Sequence, residues 1–170
     1  MVYILKAYSA RLLVLSVLLI AACGGVEKPS SAGSNSSPPS KAVESDDILS
    51  LCVQHKNIAF HIHMTLEIYI LGQKQVIPAN AGIPKGCMHV IHTHDETGEL
   101  HIESPHYHQF HLKDFFRIWG KTFNRNCIFE YCVDENHTLS FFVNGVENDE
   151  YENLPLRDGD VIRIVYSQKK

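Results

Sequence analysis

Between residues 58 and 70 apolar and polar side chains alternate cleanly, a period-two pattern that reads as one long, half-buried β-strand. Phe60, Ile62, Met64, Leu66, Ile68 and Ile70 fall on one side, and His61, His63, Thr65, Glu67 and Tyr69 on the other. Gly72-Gln73-Lys74 is expected to turn the chain, with Gln75-Val76-Ile77 returning antiparallel until Pro78 stops it. A second hairpin reads over residues 88–103, with Thr97-Gly98 as its two-residue loop. Leu112, Phe115, Phe116 and Trp119 then mark one face of a short helix. His111 occupies its N-cap position, with Asp114 three residues on, and Gly120 sits where a C-terminal cap belongs. Residues 128–133, 139–143 and 161–166 have strand chemistry, with Asn144-Gly145 and Asp158-Gly159-Asp160 as turns.

Hairpin, helix, then strands closing on Leu-Pro-Leu-Arg-Asp-Gly-Asp-Val-Ile-Arg-Ile-Val-Tyr (154–166) resembles the β-grasp, or ubiquitin-like, class. The resemblance covers residues 58–166. It implies an α+β fold, a mixed sheet with one short helix, into which the second hairpin is inserted. Two functions of that class are not expected. Sulfur carriers end in Gly-Gly, whereas this sequence ends Ser167-Gln168-Lys169-Lys170, and the cysteine-rich loop of iron–sulfur ferredoxins is missing.

Residues 1–22 read as a secretory leader. Lys6 and Arg11 supply its positive charge, an apolar run covers residues 12–20, and Ala21-Ala22 precede Cys23. The run is about half the ~20 residues that span a bilayer. Ile20-Ala21-Ala22-Cys23 looks like the lipobox of bacterial lipoproteins, which implies cleavage before Cys23 and acylation of its sulfur and its new amine. More than one acyl chain makes a stable anchor. In lipoproteins of this kind Gly24 suggests the outer membrane, facing the periplasm. Residues 23–45 form a Ser/Pro-rich tether, and residues 46–170 one domain. Loss of Lys6 and Arg11 from 15 basic residues, against 19 acidic ones, leaves the mature chain at −6 with histidine neutral. That charge gives no footprint for nucleic acid and favours cations.

Cys52, Cys87, Cys127 and Cys132 remain after the anchor. In an oxidising compartment disulfides are expected, with three possible connectivities. If residues 127–132 form one strand, the two cysteines at its ends lie roughly 17 Å apart, too far for the ~7 Å that a bridge tolerates. Two bridges involving Cys52 and Cys87 are one outcome. A single bridge with Cys87 free as a soft metal ligand is the other.

Ten of the eleven histidines lie between His55 and His111. A two-residue loop at Thr97-Gly98 pairs residues whose numbers sum to 195, setting His94 opposite His101 and His92 opposite Glu103. All four then share one face, with cross-strand β-carbons ~4.5–5.5 Å apart. Three imidazoles and a carboxylate suit Zn(II) or Cu(II). His61 and His63, on the polar side of the first strand, complete that site, form another, or are simply solvated. His106, His108 and His111 read as loop and cap residues, and His55 and His89 receive no role. His-Ile-His (61–63), Cys87, His-Thr-His-Asp (92–95), His-Ile-Glu-Ser (101–104) and Pro-Leu-Arg-Asp-Gly-Asp (155–160) together resemble a group of exported bacterial and archaeal proteins, a likeness that supplies no mechanism.

The leading functional expectation is an envelope lipoprotein that captures, buffers or hands over copper or zinc. The alternative is an interaction module presenting its sheet to envelope proteins. Catalysis, with a metal-activated water and Glu103 or Asp95 as base, comes last, since no hydrolase signature is present.

Overall fold

A computed structural model describes residues 48–170. The expected leader, Cys23 and the whole of the expected tether lie outside the described residues.

The long alternating segment is β1 (Phe60–Ile70). Leu71 and Gly72, both at positive φ, turn it into β2 (Gln73–Gln75), with Ile70 opposite Gln73. Two positive-φ residues make the tight turn that matches strand twist, so the reversal comes earlier than Gly72-Gln73-Lys74. β3 (Ile91–His92) and β4 (Glu99–Ser104) follow, then α1 (Leu112–Trp119). Next come β5 (Phe123–Asn124), β6 (Cys127–Ile128) and β7 (Tyr131–Cys132). β8 (His137–Val143), β9 (Val146–Glu147), a 3-10 turn (Tyr151–Asn153) and β10 (Val161–Gln168) complete the chain.

The main sheet runs β3-β4-β1-β10-β8-β9, and β2 also pairs with β1. β1 and β10 are parallel, and every other pair is antiparallel. First and last strands side by side at the centre, with the helix in the connection between the two halves, make the fold mixed α+β and its topology consistent with the β-grasp class. One edge of β1 is shared, with residues 60–65 pairing with β4 and residues 68–70 with β2. Between them the Leu66 N–H donates to the Gly98 carbonyl at 2.9 Å. A β-carbon on Gly98 would lie 2.5 Å from the Leu66 carbonyl oxygen, and φ is +90° there, so this position needs glycine.

Met64, Leu66, Ile68, Leu100, Ile102, Ile162 and Ile164 line the apolar side of the sheet, and Leu112, Phe115 and Phe116 of α1 are buried with them. Burying each such side chain is worth about 1.5–3 kcal/mol. The helix ends match the sequence. Asp114 accepts the His111 N–H at 2.7 Å, and Gly120 takes the left-handed conformation.

One expectation about the cysteines is corrected, and an open alternative is decided. Residues 127–132 are a hairpin, not one strand. Phe129 and Glu130 bend it, Cys127 faces Cys132, and their α-carbons lie 4.1 Å apart in a disulfide. Phe129 takes φ 54°, a positive value that alternation of residue types does not reveal. Cys52 bonds to Cys87, so Cys87 is a disulfide partner and not a free thiolate ligand.

The two bridges close chain segments with sequence separations of 35 and 5. Loop-closure entropy assigns about 3–4 kcal/mol to the first and about 2 kcal/mol to the second. Denaturant titration of the Cys52→Ser/Cys87→Ser and Cys127→Ser/Cys132→Ser proteins is expected to show the larger stability loss in the former.

Candidate metal centre

The polar side of β1 carries His61 and His63, and the ladder to β4 sets Glu103 opposite His61 and His101 opposite His63. The ladder to β3 sets His92 opposite the same His101. His63, His101 and His92 therefore form a row across three adjacent strands. His94 follows from the loop after β3, its ring centroid 4.6 Å from that of His101 and 4.8 Å from that of His92.

Within this patch two triads bring their ring nitrogens within 4.8 Å of one another: His61, His63 and His101, and His92, His94 and His101. Each could hold a metal ion. The His92 and His94 Nε2 atoms are 3.2 Å apart. Two nitrogens bound at 2.0–2.1 Å to a tetrahedral ion sit about 3.3 Å from each other, so this pair already has the spacing of a coordination edge.

His92 is fully buried, and its Nδ1 lies 2.9 Å from the His89 carbonyl oxygen. A carbonyl only accepts, so Nδ1 carries the proton and a neutral His92 turns its Nε2 lone pair toward His94. Desolvation pushes the His92 pKa down to about 4, and the lesser effects of His94 and His101 act the same way. The ring is therefore neutral at pH 7, as a metal ligand must be. His101 is shifted down as well, chiefly by desolvation and then by His63 and His94.

Glu103 stands in neither triad. It is 1 % exposed, with Oε1 3.3 Å from His61 Nε2 and Oε2 3.3 Å from His55 Nδ1, the latter without hydrogen-bond geometry. A carboxylate sunk beside imidazoles favours positive charge at the patch. His55 had no role in the sequence reading. It reaches Glu103 because the Cys52–Cys87 bridge and a bond from the Val53 N–H to the Met88 carbonyl fasten its segment beside residues 87–89. Only the later cysteine pairing could have signalled this. His89 contributes through its backbone.

The second hairpin is corrected in register. β3 and β4 pair residues whose numbers sum to 193, and six residues, 93–98, connect them. Thr93 leaves β4 because it exchanges backbone bonds with Asn80 and Ala81, and its hydroxyl donates to the Pro78 carbonyl. Asp95 folds the connection by accepting the Thr97 N–H and hydroxyl, which hold its carboxyl below the usual range. A shift of two residues preserves the face, so His92, His94 and His101 still converge. His106, His108 and His111 lie outside both triads. His108 meets Phe110 edge to face and His111 caps α1.

Searches against family models, curated proteins and solved structures find no match for the chain. Fold and geometry alone define it: a small α+β domain of β-grasp-like topology bearing two candidate histidine clusters for a metal ion.

In the metal-free protein, His92 binds a proton more readily unfolded than folded. Its contribution to stability is present above the unfolded pKa of ~6.5 and is lost as pH falls toward the folded value of about 4. The loss should be on the order of 1–3 kcal/mol after allowance for screening. Urea midpoints measured from pH 7 to pH 4 are expected to fall less steeply for His92→Gln than for the parent.

Proposed function

We propose that this chain is an envelope-anchored lipoprotein that binds a transition metal ion, copper or zinc, and captures, buffers or transfers it. The observation that carries the reading is the pair of Nε2 atoms of His92 and His94, 3.2 Å apart, with His101 completing the triad. His92 is buried, neutral and oriented by a carbonyl before any ion arrives. The donors are imidazoles, since the one nearby thiol candidate, Cys87, is consumed in a disulfide. Imidazole sets of this kind suit zinc and copper. Two disulfides accord with an oxidising compartment, and the Ile20-Ala21-Ala22-Cys23 box supports anchoring there.

Purified protein exposed to Zn(II) or Cu(II) and then desalted is expected to retain about one ion per chain by elemental analysis. His92→Gln/His94→Gln/His101→Gln should abolish retention, while His106→Gln/His108→Gln/His111→Gln should keep it. A parent protein that stays metal-free after both ions would end the reading and favour a module that contacts protein partners instead.

Cys23→Ser in the full chain is expected to move the protein from the membrane to the soluble fraction on fractionation of an expressing bacterium. Continued sedimentation with membranes would remove the lipid anchor from the proposal.

A further inference from the structure

His101 belongs to both triads, and the two differ in exposure. His61 is exposed and His63 half-buried on one side of it, while on the other side His92 is fully buried and His94 exposed. A neutral imidazole has one nitrogen with a free lone pair, the other carrying the proton. His101 can therefore serve an ion in one triad or in the other, but not both at once. Two dications so close would also repel strongly.

Resting on the metal-binding reading above, we propose that the patch is a two-position relay for a single ion. An outer position at His61, His63 and His101 exchanges with an inner one at His92, His94 and His101, and His101 stays bound throughout. The ion trades His61 and His63 for His92 and His94, one neutral nitrogen donor for another, so net charge and electron count do not change. His94 carries its proton on Nδ1 while its Nε2 is bound, and its exposure lets solvent supply and accept that proton. The inner position is the tighter one. Its His92 Nε2 is oriented by the His89 carbonyl and already sits at coordination spacing from His94. The outer position, with His61 open to solvent, is where an incoming ion sheds water and an outgoing one meets its acceptor.

The test uses the full chain in mild detergent, Zn(II) alone as probe, and a chromophoric chelator to read affinity, stoichiometry and transfer rate. The parent should bind one Zn(II). His61→Gln/His63→Gln should hold one Zn(II) within about threefold of the parent affinity but release it to the chelator at least tenfold more slowly. His92→Gln/His94→Gln should bind at least tenfold more weakly and release faster. Exposed His94→Gln alone serves if the buried replacement does not fold. Two tightly bound ions in the parent, or an unchanged release rate in His61→Gln/His63→Gln, would overturn the relay and leave single-site metal binding standing. A parent that binds no Zn(II) would overturn the relay together with its premise.

Discussion

β4 is hydrogen-bonded along both edges, to β1 on one side and β3 on the other, and the histidine patch exists because of those two ladders. Neighbouring strands lie about 4.8 Å apart, so residues in register on three of them form a row whose middle side chain has a neighbour within reach on either side. His63, His101 and His92 are such a row. A slip of one residue in either ladder would turn a histidine toward the apolar side and bring an isoleucine or leucine out in its place. The register is protected by that same apolar side, where Ile62, Ile102 and Ile91 meet directly across the strands. Core packing and ligand placement are thus one constraint read from two faces of the sheet.

Preparation for a cation differs across the patch. At the buried end it is geometric: a carbonyl orients His92, desolvation keeps it neutral, and Ala81 and Gly82 press against its strand so closely that a β-carbon on Gly82 would meet the Ile91 carbonyl oxygen at 2.4 Å. At the open end it is electrostatic, with the buried Glu103 carboxylate beside His61 and His55. A buried, oriented end and a charged end in one patch fit the proposed holding and release of an ion.

Much of this was legible in the residues. Alternation over residues 58–70 located β1, the Leu112-to-Trp119 spacing located the helix with its caps, and the His-x-His pairs marked the strands that carry the chemistry. The face shared by His92, His94 and His101 survived a wrong loop length because the error was an even number of residues. What could not be read was anything set by partners far along the chain. Thr93 pairs with residues 80 and 81, Phe129 bends a segment whose composition suits a strand, and His55 meets Glu103 from 48 positions away through a disulfide. β1 against β4 was equally hidden, since hydrophobic pattern sets which face is buried but not which strand lies alongside.

The Cys52–Cys87 bridge joins the arm carrying His55 to the stretch whose His89 carbonyl steadies His92. Thiol reagents added to keep a preparation monodisperse would therefore cut the strap that ties both flanks of the patch together. Protein handled that way is a loosened relative of the oxidised molecule, and chelation measured on it reports the slackened ring set, not the one described here.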